Sequence, residues 1–384
     1  MLDTVAVRGY RSLRDIVLPL RQLTVVTGAN GTGKSSLYRA LRLLADCGRG
    51  DVIGSLAREG GLQSALWAGP EQLSGTRRTG KTEGTTRTRS ISLEMGFAAD
   101  DFGYLVDLGL PQMAGVQSAF ARDPEIKREA VFAGPTPRPN SMLVRRGGPL
   151  AEARSEDGRG FDQLTRGLPA HRSVLAEFAH PGELPELAVV RDRLRAWRFY
   201  DGFRVDAGAP ARRPQVGTRT PVLADDGSDL AAAIQTIIEA GFDDLQRAVA
   251  DAFEGATVTV TVTDGLFDVA LQQPGMLRPL RSAELSDGTL RFLLWAAALL
   301  SPSPPSLMVL NEPETSLHPE LVRPLATLIS SAARATQVLV VTHSQALLES
   351  LGRAEGVELY KDCGETRIAG QTPLSAPPWD WGSR

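Results

Sequence analysis

Between residues 23 and 47 the chain places an apolar run, Leu23-Thr24-Val25-Val26-Thr27, before a glycine-rich loop, Gly28-Ala29-Asn30-Gly31-Thr32-Gly33-Lys34-Ser35. Leu37, Ala40, Leu41 and Leu44 then recur at helical spacing, and Gly48 stops the helix. β-Branched residues in a short apolar run predict a buried strand. The loop between them fits G-x-x-x-x-G-K-[S/T], the Walker A pattern. Its glycines let backbone N–H groups curl round a phosphate without a Cβ clash, and the helix N-terminus adds positive potential. Lys34 can then reach the β- and γ-phosphates of ATP, and the Ser35 hydroxyl can ligate Mg²⁺. The nucleotide-binding residues expected here are Asn30, Gly31, Thr32, Gly33, Lys34, Ser35 and Ser36. A plain glycine turn is the alternative, but the flanking strand and helix favour the phosphate site.

A second apolar strand delivers acidic residues at its end: Ser306-Leu307-Met308-Val309-Leu310-Asn311-Glu312-Pro313-Glu314. This is Walker B logic, in which one group holds the water shell of Mg²⁺ and the next polarises the attacking water. Glu312 is the expected base. Asn311 stands where aspartate is usual and brings no charge, so metal affinity or turnover is expected to be reduced. A third strand, Val338-Leu339-Val340-Val341-Thr342, ends in His343. A histidine at a strand end is more often structural, but after the first two motifs it fits a switch residue sensing the γ-phosphate. Finally, Leu285-Ser286-Asp287-Gly288-Thr289 opens a long apolar helix about 25 residues before Glu312. Ser286 can be a simple N-cap or the serine of an LS-x-G signature (Ser286, Asp287, Gly288).

Composition narrows the class. With 384 residues, 42% hydrophobic and 23% charged, the chain can bury a large core. The longest apolar run, Phe292 to Leu300, falls well short of the ~20 residues that span a bilayer. The N-terminus lacks a basic-then-apolar signal pattern. Cys47 and Cys363 form no disulfide framework or zinc spacing, so a cytoplasmic location with free thiols and no membrane association is expected. The net charge is −3, which excludes a basic nucleic-acid coat protein. The balance is uneven: residues 1–60 carry nine basic and five acidic groups, 61–213 carry 22 and 19, and 214–384 carry 11 and 21.

Along the middle, Ile91–Phe97 and Phe102–Leu108 read as strands, and 134–160, rich in Gly, Pro and Arg, as a mobile excursion. Residues 210–221 read as a linker. Thr257–Val262 and Leu266–Leu271 read as a hairpin around Asp264-Gly265. No heptad pattern persists, so no long coiled-coil arm is expected.

These elements, in this order, resemble the ABC ATPases of the RecF and SMC kind, and most of all the compact RecF-like AAA-type predicted ATPases of bacteria. The opening Val7-Arg8-Gly9-Tyr10-Arg11-Ser12-Leu13, the segment Val222–Leu230 and the run Asn311–Pro319 carry the likeness further. It covers residues 4–60 and 220–365, and 61–215 only weakly. The resemblance implies an α/β P-loop NTPase of ABC/RecF type with an N-terminal antiparallel β subdomain and a mostly helical insertion, or lid. The core is expected over 1–60 and 216–384, and 61–215 as an inserted β/helical lid region with basic mobile loops. It makes Ser316, Leu317 and His318 a D-loop, Ser35 and Asn311 metal residues, and Glu312 and His343 catalytic. No glutamine coupling residue can be placed, and Tyr10 is expected to pack in the core rather than stack on adenine.

The resemblance further implies a split site, with the signature of one copy closing on ATP bound by the other, so that ATP drives homodimerisation. Cofactors are then ATP and Mg²⁺. Two functions remain open. One is a DNA-linked ATPase in repair or DNA-directed defence, with Arg77, Arg78, Lys81, Arg87 and Arg89 on duplex. The other is a nucleotide-gated regulatory subunit of a partner effector, as in an antiphage complex, without direct DNA contact. A transporter subunit fits less well because 61–215 is a large insertion, and a ring-forming AAA+ motor would not carry the signature and switch histidine.

Overall fold

The computed structural model describes residues 1–71, 73, 77, 92–111, 119–241, 243–352 and 354–382. In chain order, β1 (Leu2–Tyr10) and β2 (Leu13–Pro19) pair antiparallel, and β3 (Leu23–Thr27) leads into α1 (Lys34–Arg49). Two short helices follow, α2 (Val52–Arg58) and α3 (Leu62–Ala65). Six strands come next: β4 (Leu93–Ala99), β5 (Phe102–Gly109), β6 (Glu125–Ala133), β7 (Met142–Gly147), β8 (Leu150–Arg154) and β9 (Phe161–Thr165). Then come α4 (Val174–Glu177), α5 (Pro185–Ala196), β10 (Arg198–Asp201), β11 (Gln215–Val216), α6 (Leu230–Glu239) and α7 (Asp244–Ala252). The hairpin β12 (Thr257–Thr263) and β13 (Leu266–Gln272), with β14 (Leu280–Arg281), precedes α8 (Asp287–Leu299). The chain continues through β15 (Leu307–Asn311), α9 (Pro319–Ala332), β16 (Gln337–Val341), α10 (Gln345–Leu351), β17 (Glu355–Asp362) and β18 (Glu365–Ile368).

The chain divides into two compact units. One comprises Met1–Arg21, Thr27–Ala196 and Val357–Arg384; the other comprises Gln22–Val26 and Trp197–Gly356. In the first, an antiparallel sheet runs in the order β2-β1-β4-β5-β6-β7-β8-β9. Every residue of β4 is buried, Glu94 included, so this strand is covered on both faces. In the second unit, β10, β15, β16 and β3 form a parallel array whose last register is Asp201 opposite Asn311, Asn311 opposite Val341, and Val341 opposite Val26. Leu307–Leu310 and Val338–Val341 are fully buried, because α6, α8 and α9 and the β12–β13 hairpin pack a common core with them. Trp295 of α8 anchors it, meeting Phe203 and Tyr200 edge-on at 4.9 and 6.2 Å between ring centres.

Three expectations are corrected. The inserted region 61–215 was expected to be mostly helical, yet among its described residues strand, β4 to β9, outweighs helix. The 134–160 segment is no excursion, since it holds the β7–β8 hairpin. The 210–221 linker contains the edge strand β11, paired to β13. The cause in the first two cases is charge on the sheet. Glu129 of β6 and Arg146 of β7 are buried, which breaks the apolar alternation that marks a strand. Glu129 is satisfied by Tyr104 Oη at 2.6 Å, the Val174 N–H at 2.9 Å and Ser173 Oγ. Among the described residues no helix is long and apolar enough to cross a membrane.

Candidate functional site

The phosphate loop belongs to the first unit. Gly28 adopts φ +139°, and a Cβ there would lie 2.3 Å from the Leu359 carbonyl oxygen. Gly33, at φ +109°, would bring a Cβ within 2.2 Å of Thr366 Oγ1. Only glycine fits either place. Thr366 Oγ1 donates to the Thr32 carbonyl at 2.7 Å and accepts from the Ser12 hydroxyl at 2.8 Å, so β18 buttresses the loop. Lys34 is buried and folds its ammonium onto the carbonyls of Gly28 (2.6 Å) and Ala29 (3.1 Å). Helix α1 starts at Lys34 with no side-chain cap and no acidic residue in its first turn, which leaves its positive end uncancelled by the chain. Ser35 and Asn30 are exposed, and Ser36 is half-buried.

The second unit carries the strand ends. Glu312 follows β15 in the left-handed region, φ +47°, where a side chain other than glycine is strained. Its N–H donates to Val341 O at 2.7 Å, which pins the turn to β16. Glu312 Oε1 lies 3.3 Å from His343 Nδ1, both side chains being partly exposed. The turn carrying His343 is fixed by Thr342, whose hydroxyl donates to Glu314 Oε1 and accepts from the Ser344 N–H at 2.9 Å. Ser316 is also left-handed, φ +61°. Leu317 N–H donates to Glu314 O at 3.1 Å, and His318 caps α9.

Ser286 caps α8, its Oγ accepting from the Thr289 N–H at 3.1 Å, and both Ser286 and Asp287 are exposed. Arg212 holds this turn from behind. Its guanidinium donates to the carbonyls of Val205 (2.8 Å), Leu285 (2.7 Å) and Ser282 (3.3 Å) and to Asp287 Oδ1 (2.5 Å).

Of the basic loop, Arg77 is described and is paired with Asp362 (2.8 Å) and Glu365 (2.5 Å). Arg78, Lys81, Arg87 and Arg89 lie outside the described residues. Tyr10 is fully buried and donates to Glu59 at 2.6 Å; burial pushes its phenol pKa up. Sequence reasoning missed two residues. Arg212 sits in what read as a linker. Asp201 ends β10, where its Oδ1 accepts from Asn311 Nδ2 at 2.8 Å. An acidic residue closing the Phe199-Tyr200 strand was the available signal.

Residues 23–349 match the family described as "AAA domain, putative AbiEii toxin, Type IV TA system". The chain belongs to this AAA family. The matched span includes the phosphate loop, the α8 turn and the Glu312–His343 pair, in agreement with the resemblance carried by the motifs. A segment of 56 residues is 45% identical to the OLD nuclease of Thermus scotoductus (strain ATCC 700910 / SA-01), covering 15% of this chain and 10% of that protein. The chain thus matches about a tenth of that relative's length. Among solved structures, an SMC head bound to the C-terminal winged-helix domain of ScpA is 14% identical with TM-score 0.49, over 96% of each chain. The SMC head domain from Thermotoga maritima is 16% identical with TM-score 0.45, over 96% of this chain and 98% of that one. Both scores are low, and membership of the AAA family rests on the sequence match.

Proposed function

We propose that this AAA-family chain binds ATP·Mg²⁺ through Asn30–Ser36 and hydrolyses it to ADP and phosphate, with Glu312 as base. The observation that carries this reading is the 3.3 Å approach of Glu312 and His343 on the ends of adjacent parallel strands. Glu312 accepts the proton of a water whose oxygen attacks the γ-phosphorus, and His343 orients the carboxylate and senses the leaving phosphate. Lys34 neutralises phosphate charge. Oxygen donors suited to Mg²⁺ are present: the exposed Ser35 hydroxyl on α1, and the Asn311 amide beside the Asp201 carboxylate on the strand ends. Bound Mg²⁺ would supply charge neutralisation on the phosphates. The exposed, capped turn at Ser286–Gly288 suits the trans signature of a head-to-tail homodimer, with Ser316–His318 as the D-loop. Such a dimer would form on ATP and part after hydrolysis, in DNA repair or DNA-directed defence.

A second reading is favoured by Arg77, whose guanidinium is engaged by two carboxylates rather than offered to phosphate, and by the toxin–antitoxin wording of the family description. In it the chain is a nucleotide-gated subunit of a protein effector. Steady-state ATP turnover with and without duplex DNA, with Lys34→Ala as blank, separates the two. Turnover that rises with DNA supports the first reading. Turnover indifferent to DNA supports the second, and no turnover above the blank removes the ATPase reading.

A further inference from the structure

Asn311 occupies the strand-end position where a metal-dependent ATPase wants a carboxylate, and the structure places one beside it. Strand β10 runs parallel to β15, and Asp201 and Asn311 are opposite one another as the last residues of both strands. Asn311 Nδ2 donates to Asp201 Oδ1 at 2.8 Å. A carboxylate only accepts, so the amide nitrogen must face Asp201, and the amide oxygen is the acceptor that Asn311 presents elsewhere. Asp201 is exposed and has no cationic partner among the described residues, unlike Asp206 a few residues later, which is held by Arg204 at 2.9 Å. An aspartate at 311 as well would set two carboxylates within hydrogen-bonding distance, where one would have to take up a proton. The pair as it stands carries one negative charge and two oxygen acceptors, which is what the water shell of a divalent cation needs.

We propose that Asp201 supplies the metal-site charge that Asn311 lacks, with Asn311 orienting it through the amide nitrogen. The amide oxygen of Asn311 accepts a hydrogen bond from a metal-bound water. The charge has moved from β15 to its neighbour, so the asparagine is half of a matched pair rather than a defect. This inference rests on the ATP·Mg²⁺ reading above.

The test is Mn²⁺ titration of the full chain at saturating ATP, with bound metal followed by electron paramagnetic resonance. ATP binding without metal is measured in parallel. Asp201→Asn should raise the Mn²⁺ concentration needed for half-filling by about 10- to 100-fold and leave metal-free nucleotide affinity unchanged. The exchanged pair, Asp201→Asn with Asn311→Asp, should return the titration close to wild type. Wild-type filling in Asp201→Asn overturns the inference, as does an exchanged pair no better than the single variant. If the wild-type chain binds no ATP at all, it is the ATPase reading that fails.

Discussion

Removing Arg212 should cost far more than breaking the single ion pair that it makes. Its side chain is 9% exposed, whereas that of Asp287, its charged partner, is 69% exposed. The carboxylate end of the pair therefore lies in solvent, where screening leaves it worth about 0–1 kcal/mol. The three backbone carbonyls that Arg212 also satisfies, those of Val205, Ser282 and Leu285, lie in a different environment. Each buried acceptor left without a donor costs about 1–3 kcal/mol. Arg212→Ala should thus lose roughly 3–9 kcal/mol, a large share of the ~5–15 kcal/mol that holds a domain folded. Asp287→Asn should lose less than about 1 kcal/mol. Equilibrium urea denaturation followed by far-UV circular dichroism gives both numbers. Hydrogen exchange over residues 287–299 should show the loss concentrated at the start of α8. Arg212 is not the support of this turn if Arg212→Ala stays within about 1 kcal/mol of wild type, or if Asp287→Asn is equally destabilised.

Two further outcomes follow from local geometry. Gly28→Ala would force a Cβ to 2.3 Å from the Leu359 carbonyl, a backbone atom that cannot swing aside, at φ +139°. Equilibrium ATP binding should fall by at least ~10-fold, since strain of about 1–3 kcal/mol reshapes the loop; unchanged binding would mean that the loop tolerates a side chain there. The hydrogen bond from Arg193 to Asp101 holds that carboxyl down at about 2, below its ordinary 3.8. A depressed carboxyl adds stability above pH 3.8 that is lost as pH falls toward 2, and partial exposure limits it to about 1 kcal/mol. The stability difference between wild type and Asp101→Asn should therefore shrink between pH 4 and pH 2 in acid-denaturation curves. A difference as large at pH 2 as at pH 4 would contradict the pairing.

What was legible in the sequence was whatever is decided locally. The glycine spacing before Lys34 fixes a backbone path over eight residues. The apolar runs before Asn311 and His343 need burial on both faces, and each becomes a strand of the parallel array. Ser286 caps its helix through a bond three residues away. What stayed hidden depends on partners far apart in sequence. Asp201 meets Asn311 across 110 residues, and an acidic residue closing a short strand does not say which strand will lie beside it. Arg146 reads as a surface arginine, yet its guanidinium is buried against the carbonyls of Gly148 (2.8 Å) and Pro169 (2.9 Å). Its neighbour Arg145 lies 4.0 Å over the ring of Phe161. Charges neutralised in these ways disguise strands as loops, which is why the insertion read as more helical and mobile than it is.

If the phosphate loop binds ATP and the Glu312–His343 pair hydrolyses it, binding and turnover must separate in single variants. Wild type, Lys34→Ala and Glu312→Gln would be compared for equilibrium ATP binding and for single-turnover phosphate release. Lys34→Ala is expected to lose binding. Glu312→Gln is expected to bind ATP like wild type while releasing phosphate at least ~100-fold more slowly, the scale of a lost general base. Phosphate release at the wild-type rate in Glu312→Gln, or ATP binding undiminished in Lys34→Ala, would contradict the account.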